Sequence, residues 1–220
     1  MAQITLYGPR EAPFVLKFEL ALGLKKLDFT QEVPSGPEDY KRWSPETGLL
    51  PVIDVDGTRV HDSSAILDFL DERFPEPPLV SSDPKAASSQ RTLESWAEET
   101  FFFYWMSYLR TLVRGDEEVA VEGSAAPRAG PRSRLSRRKK APTLNLAEGL
   151  GKEFGQRLDD LVNFLGSRPF FYSDRVSRAD LAVYSFLNYI PETAGPVKAI
   201  VHSRQPLVDL MARVEAAVRS

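Results

Sequence analysis

The chain has 220 residues, of which 42% are hydrophobic and 27% are charged, and its formal net charge is -3. This length and composition are ordinary for one or two globular domains with a buried core. The net charge gives no overall attraction to nucleic acid, and the absence of cysteine excludes disulfides, thiolate metal sites and a cysteine nucleophile.

The first 74 residues alternate between short strand patterns and helical patterns. Strands are predicted over residues 4–7, 28–33, 52–55 and 58–61, and helices over residues 14–24 and 63–74. Residues 36–47 contain proline and glycine and are predicted to form a loop with one helical turn. Asp56-Gly57 is typical of a tight hairpin turn. The order βαβ followed by ββα predicts a small mixed α/β domain.

From Lys85 onward the hydrophobic pattern is helical. Residues 75–78 contain three prolines, which end helices and stiffen linkers, so we place a boundary between domains 1–78 and 79–220. Helices are predicted over residues 83–113, 144–165, 179–190 and 206–218. Ser177 and Asp180 have the spacing of a capping box, so we expect their side chains to cap a helix rather than to bind substrate.

A basic segment separates the first two of these helices. Residues 128–140 contain seven basic residues and no acidic one. Such a run is normally a solvated loop, and we expect a basic loop insert near residues 114–142. A site for an anionic partner is the alternative. The lack of aromatic residues in the run and the acidic balance of the whole chain favour the loop, with no nucleic acid as partner.

The location of the protein is also an expectation from sequence. No apolar run is long enough to span a bilayer, and the first residues lead into a strand without a signal-like segment. We therefore expect a soluble cytoplasmic protein that does not associate with membranes. The two histidines, His61 and His202, are far apart in the sequence, so no metal site is expected.

The most informative motif surrounds the predicted hairpin. Pro51 permits a cis peptide after Leu50, and such a bend would leave the backbone groups of Leu50 free. Asp62 and Ser63 stand where the hairpin meets the next helix, and helix N-termini bind carboxylates through free N–H groups and a positive dipole end. In an arbitrary sequence these two residues would only cap the helix. Their position after Leu50-Pro51 favours a role in binding a ligand carboxylate.

Leu50-Pro51, Asp56-Gly57 and Asp62-Ser63, followed by Ala65-Ile66, closely resemble the signature of the glutathione S-transferase family. The resemblance continues in the first strand and helix and in the C-terminal helices. The residues of the first strand and helix are most similar to those of the tau and omega branches. The segments that carry it are residues 4–7, 12–17, 169–171 and 177–182. It implies a thioredoxin-like N-terminal domain, an all-α C-terminal domain and a homodimer.

The same resemblance implies an activity. The chain would bind glutathione as a co-substrate and join its thiolate to a small hydrophobic electrophile, a reaction of detoxification. Leu50 would pair with the cysteinyl backbone, and Asp62-Ser63 would hold the γ-glutamyl end. The implied glutathione contacts are Ala12, Leu50, Pro51, Asp62 and Ser63. The pocket for the electrophile is expected from Phe14, Tyr104 and Tyr108, although much of the aromatic run 101–108 is expected to be core or subunit interface.

The catalytic group is less well defined by the sequence. A free thiol has a pKa near about 8.5 and is only a few per cent ionised at pH 7, so the site must stabilise the thiolate. Tau-like members carry Ser and omega-like members Cys directly before the proline, where this chain has Ala12. Three substitutes are available: the Tyr7 hydroxyl, the Arg10 charge, and the N-terminus of the helix that begins near Pro13. We rank the helix backbone together with Tyr7 above Arg10.

Other functions remain open at this point. Ala12 favours a non-catalytic or weakly active glutathione binder. A glutathione-dependent peroxidase or isomerase could use the same site. A scaffold protein that acts through the basic insert is disfavoured by Pro51 and Asp62-Ser63.

Overall fold

The computed structural model describes residues 2–10, 12–114, 146–189 and 195–220. Its N-terminal part has the strand and helix order expected from the sequence. The strands are β1 (Ile4–Tyr7), β2 (Thr30–Glu32), β3 (Val52–Val55) and β4 (Thr58–Val60), and the helices are α1 (Pro13–Leu24), α2 (Pro37–Trp43) and α3 (Ser63–Arg73).

Helix α2 is longer than the single turn that the sequence predicted. Pro37 occupies its first turn, where the missing N–H would have no helical partner. Acidic residues Glu38 and Asp39 lie in the first turn and basic residues Lys41 and Arg42 in the last, which complements the helix dipole. These start and stop signals were present within a segment whose proline and glycine content favoured a loop.

The four strands form one mixed sheet in the order β2-β1-β3-β4. β1 is parallel to β2 and antiparallel to β3, and β4 is antiparallel to β3. Ile4 and Leu6 of β1 are buried in a core shared with α1 and α3, whereas Tyr7 points to the other face, where it meets Trp43 of α2. Helices therefore cover both faces, and the thioredoxin-like fold is confirmed.

The C-terminal part of the described chain is helical, as expected. It consists of α4 (Pro84–Trp96), a π-helical turn (Ala97–Phe101), α5 (Phe102–Arg114), α6 (Leu146–Leu165), α7 (Arg178–Asn188), α8 (Gly195–His202) and α9 (Gln205–Arg219). The single helix predicted over residues 83–113 is divided by the π turn, which hydrophobic periodicity does not reveal. Helix α8 was not predicted. The basic insert and the predicted helix end at residue 190 lie outside the described residues.

The connection between the two parts is held by a buried lysine. Lys25, the C-cap residue of α1, donates hydrogen bonds to Asp71 Oδ1 at 2.7 Å, to the Phe74 carbonyl at 2.6 Å and to the Pro77 carbonyl at 2.8 Å. Asp71 in turn accepts from the Leu79 N–H at 2.9 Å. The predicted domain boundary after residue 78 thus falls in a segment that is fixed to α1 and α3.

The predicted capping of α7 is present. Asp180 Oδ2 accepts from the N–H and the hydroxyl of Ser177, at 2.8 and 2.7 Å, and its Oδ1 accepts from the Phe171 N–H at 2.9 Å. Across the described ranges, no helix is long and apolar enough to cross a membrane.

Candidate functional site

Three parts of the N-terminal domain meet at Gly8, which follows β1. A Cβ atom at this position would lie 2.5 Å from Cγ2 of Val15 in α1 and 3.7 Å from Cα of Pro51. The Leu50–Pro51 peptide bond is cis, as the sequence allowed. Pairing of Tyr7 with Val52 across β1 and β3 sets this register. The cis peptide therefore lies beside the first turn of α1, so backbone groups from both elements are available at one place.

Ala12 is the N-cap of α1, and Pro13 follows it. The N–H groups of Val15 and Leu16 both donate to the Ala12 carbonyl at 3.0 Å. An alanine side chain cannot accept a hydrogen bond from the first turn of the helix. The positive end of the α1 dipole is therefore not neutralised by the side chain at its own N-cap, and it can act on an anion that binds next to Ala12.

Tyr7 lies on the α2 side of the sheet. Its ring centroid is 5.0 Å from that of Trp43, and the Arg59 guanidinium lies 5.3 Å from it. These contacts give the ring a packing role. Arg10 is exposed. Burial raises the pKa of Glu19, and the Gln31 hydrogen bond and the Arg10 charge offset part of this rise.

Asp62 is the N-cap of α3 and has an unusual backbone. Its Oδ1 accepts from the N–H groups of Ser64 and Ala65 at 3.0 and 3.1 Å, so the capping interpretation is correct for this oxygen. Its φ angle is 75°, a left-handed conformation that is uncommon outside glycine. Residues in such uncommon backbone conformations cost free energy and persist only where the surrounding structure holds them. They are concentrated at ligand sites and active sites. Asp62 Oδ2 has no hydrogen bond to any described residue.

The Ser63 hydroxyl is part of a buried charge network that the sequence did not suggest. It accepts from Lys17 Nζ and donates to Glu98 Oε1 at 2.7 Å. Lys17, only 1% exposed, also pairs with Glu98 and, at 2.9 Å, with Glu94. A lysine within the apolar sequence of α1 was the available signal. Buried charges are stable only when paired, so this network fixes α1 and α3 against α4.

The network continues into α7 through Arg178, which is also 1% exposed. Its Nε donates to Glu94 Oε2, and its Nη1 lies 2.5 Å from Asp68 Oδ1. Arg91 pairs with the same Asp68 oxygen at 2.5 Å. Burial would raise the pKa of Asp68, but the bonds from Arg91 and Arg178 hold it below its usual value. We refer to Lys17, Ser63, Asp68, Arg91, Glu94, Glu98 and Arg178 as the charge network.

The three residues expected to form the electrophile pocket do not form one aromatic group. The Phe14 ring packs against those of Phe102 and Phe186, with centroids 5.1 and 5.2 Å away. Tyr104 contacts Phe103 and the Arg157 guanidinium, and Tyr108 contacts Phe154 of α6. Within the described residues, Phe14 has no ring contact with either tyrosine. Tyr104 and Tyr108 mainly join α5 to α6.

A hollow of about 510 Å³ lies between the β2–α2 connection and Gly48, and Tyr40 and Lys41 are among its lining residues. In the part of the chain that is described, no group of three or more His, Cys, Asp or Glu side chains could hold a metal ion.

Comparison with known proteins agrees with this geometry. A family model for the N-terminal domain of glutathione S-transferases matches residues 12–73, from the N-cap of α1 to the end of α3. The match assigns this N-terminal domain to the glutathione S-transferase family. A relative over nearly the full length is the isoprene-epoxide glutathione S-transferase of Rhodococcus sp. (strain AD45). It is 24% identical over 246 aligned residues, which cover 96% of this chain and 97% of that protein.

Two further proteins extend the comparison. Maleylacetoacetate isomerase of Pseudomonas aeruginosa is 36% identical over 85 residues, covering 34% of this chain and 39% of the isomerase. A glutathione S-transferase of Methylobacillus flagellatus, crystallised with GSH bound, superposes with a TM-score of 0.71 at 18% identity and 98% coverage of both chains. At this identity the superposition demonstrates the shared fold alone.

Proposed function

We propose that this protein is a glutathione transferase that binds glutathione in its N-terminal domain and conjugates the thiolate to a hydrophobic electrophile. The observation that carries the proposal is the convergence at Gly8 of the cis Leu50–Pro51 peptide and the first turn of α1. It provides backbone groups for a peptide and a helix dipole for an anion side by side. A cytoplasmic homodimer with a role in detoxification belongs to the same proposal.

The N-terminus of α3 suits the γ-glutamyl end of glutathione, which carries one carboxylate and one ammonium group. The Ser63 N–H, the first of the helix, can donate to the carboxylate. Asp62 Oδ2 and the Glu98 carboxylate beside Ser63 can accept from the ammonium. Lys41, at the hollow next to Gly48, is the cation available to the glycine carboxylate.

Thiol activation would depend mainly on the backbone. Ala12 contributes no hydroxyl, the Tyr7 ring is packed against Trp43, and Arg10 is exposed. The N-terminus of α1 remains, and a helix terminus favours an anion by about 0.3–1 kcal/mol in exposed settings and up to about 2 kcal/mol when partly buried. Because one pKa unit corresponds to about 1.4 kcal/mol, we expect the thiol pKa to fall by only about one unit.

A substitution at Asp62 tests the proposal. Asp62→Asn retains an N-cap acceptor for Ser64 and Ala65 but removes the charge, so we expect glutathione affinity, measured by calorimetric titration, to fall at least about tenfold. Asp83→Asn is the matched control, since Asp83 caps α4 through the Lys85 N–H away from the site. Equal affinity in Asp62→Asn and the parent would reject the placement of the γ-glutamyl end.

A second function is favoured by one observation, the absence of any hydroxyl at the N-cap of α1. The protein would then bind glutathione and conjugate it slowly or not at all. Titration that shows binding, with no turnover of 1-chloro-2,4-dinitrobenzene above the uncatalysed rate, would select this function. The relationship to maleylacetoacetate isomerase makes isomerisation the next activity to assay.

A further inference from the structure

The hollow beside Gly48 lies at the same edge of the sheet as the proposed glutathione site. The end of β1 is paired with the end of β2 and with the start of β3, and β4 ends at this edge because it is antiparallel to β3. The Gly8 N–H donates to the Glu32 carbonyl at 2.9 Å, which holds the end of β2 beside the end of β1. The hollow follows directly on β2, and its lining residues are 34–37, Tyr40, Lys41 and Gly48.

Gly48 connects the hollow to the place where the ligand peptide would bind. It precedes Leu50 by two residues, and consecutive Cα atoms are about 3.8 Å apart, so the Cα atoms of Gly48 and Leu50 are at most about 7.6 Å apart. In the strand order β2-β1-β3-β4, Asp62 follows β4 at one end of the edge and the hollow follows β2 at the other. A ligand with its γ-glutamyl end at Asp62 and its cysteinyl residue at Leu50 therefore directs its glycyl end toward the hollow.

The hollow offers more room than a glycyl carboxylate needs. Its volume of about 510 Å³ lies within the range of about 300–1,000 Å³ that is typical of sites for whole small molecules. A Cβ atom at Gly36 or at Gly48 would meet nothing within 4 Å, so both walls face open space. Pro34, Pro37 and Tyr40 supply rings to the lining. A short apolar group attached to the glycyl carboxyl would remove apolar surface from water here.

The charges around the hollow give little advantage to a free carboxylate. Asp39 Oδ2 accepts from the N–H and the hydroxyl of Ser35 at 2.8 and 2.7 Å, and these bonds lower the pKa of Asp39 and keep it ionised. Arg42 pairs with Asp39 at 3.0 Å. Lys41 lines the hollow but is exposed, and exposed ion pairs contribute little free energy. Segment 32–50 has four acidic residues and two basic ones, namely Glu32, Glu38, Asp39 and Glu46 against Lys41 and Arg42.

We propose that the hollow accepts glutathione derivatives whose glycyl carboxyl carries a small apolar group in ester or amide linkage. The inference rests on the proposed glutathione site and specifies which thiol peptides that site takes. Blocking the carboxyl removes a charge that Lys41 compensates only weakly, and the added group gains apolar contact with Tyr40 and the neighbouring prolines. The protein therefore binds such a derivative at least as well as it binds glutathione.

Two ligands that differ only at this carboxyl test the proposal on the parent chain. Calorimetric titration gives the Kd for glutathione and for its glycyl monoethyl ester. We expect the Kd of the ester to be lower than that of glutathione or no more than about threefold higher. A weaker ester overturns this inference and leaves the glutathione site in place. Absence of binding by both thiols overturns the proposed function, and this inference with it.

Tyr40→Ala tests whether the added group occupies the hollow. We expect the Kd of the ester to rise at least about threefold more than that of glutathione, because only the ester contacts the Tyr40 ring. A folding defect would weaken both ligands alike. Phe164→Ala is the matched control, since this partly exposed ring packs against Trp96 away from the sheet edge, and it should leave the ratio of the two Kd values unchanged. Equal rises for both ligands in Tyr40→Ala would overturn the placement of the glycyl end.

Discussion

Lys17 of α1 and Ser63 of α3 are hydrogen-bonded to each other, so the hydroxyl expected to contact glutathione is already held by a buried cation. Glu98 is bonded to both of them. The side chain that the sequence predicts as a ligand contact is therefore positioned by groups from α1 and from the π-helical turn. Its orientation depends on Lys17 as much as on the N-terminus of α3.

Replacement of Lys17 tests this dependence. Lys17→Met would leave Glu94 and Glu98 without their shared cation, and breaking a buried ion pair on one side costs about 3–5 kcal/mol. We expect the free energy of unfolding in urea to fall by that amount and glutathione affinity to fall as well. Lys85→Met, at an exposed position of α4, should change neither quantity. A stable Lys17→Met protein with normal affinity would contradict the role of the network.

Ala12 is the position where a hydroxyl should raise activity. Ala12→Ser would place an O–H donor beside the thiolate, and a well-placed donor is worth about 2.7–4 kcal/mol, so even poor alignment should raise conjugation of 1-chloro-2,4-dinitrobenzene several-fold. Ala12→Thr and Ala12→Val form a matched pair, equal in shape but not in hydroxyl content. If the Thr and Val variants are equally active, position 12 does not face the sulfur.

Tyr7→Phe distinguishes packing from catalysis. Because the ring is held between Trp43 and Arg59, we expect kcat/KM to change by less than about twofold. From the sequence alone, Tyr7 was expected to share in thiol activation. A large loss of kcat at unchanged glutathione affinity would restore that share to the Tyr7 hydroxyl.

Gly8 should tolerate no side chain. Gly8→Ala would place Cβ 2.5 Å from Val15 Cγ2, which forces the Val15 side chain or α1 to shift, and overpacking of this kind costs about 1–3 kcal/mol. We expect a lower melting temperature and weaker glutathione binding. Gly36→Ala, whose Cβ would meet nothing within 4 Å, is the control. Combining Gly8→Ala with Val15→Ala should recover part of both losses, and strict additivity of the two substitutions would argue against the clash.

Asp180 predicts a dependence of stability on pH. Burial raises its pKa from 3.8 to about 7, against the opposing effect of its hydrogen bonds. The folded state therefore binds this proton more tightly than the unfolded state. The stability that the group contributes is complete below about pH 4 and is lost as the pH rises through about 7. In melting curves from pH 4 to 8, Asp180→Asn should lack this decline. Parallel curves for the two proteins would show that Asp180 stays ionised.

The fold could be predicted where local signals and tertiary packing agree. The Asp56-Gly57 turn, the cis-compatible Leu50-Pro51 and the Ser177 capping box are short-range patterns with a direct physical cause, and each is present. The π turn at Ala97–Phe101 and the eight-residue helix α8 leave no comparable periodicity in the sequence. They depend on packing among distant helices.

The site was predictable only in its backbone elements. Cis proline and helix N-termini follow from residue type, so their locations at residues 50–51, 12–13 and 62–63 could be predicted in advance. The charge network joins residues up to 110 positions apart, such as Arg178 and Asp68. No spacing rule identifies such pairs, because the register of α4 and α7 against α1 is decided by the core as a whole.

The charge network contains three cations, Lys17, Arg91 and Arg178, and three carboxylates, Asp68, Glu94 and Glu98. It is electrically neutral, and it lies directly behind Ser63. A ligand end with a single uncompensated charge would therefore leave one group without its counterion, next to Lys17, Glu94 and Arg178, which are each only 1% exposed. A zwitterionic end adds equal and opposite charges and leaves the balance intact. The neutral charge network behind Ser63 would therefore favour a ligand end with no net charge at the N-terminus of α3.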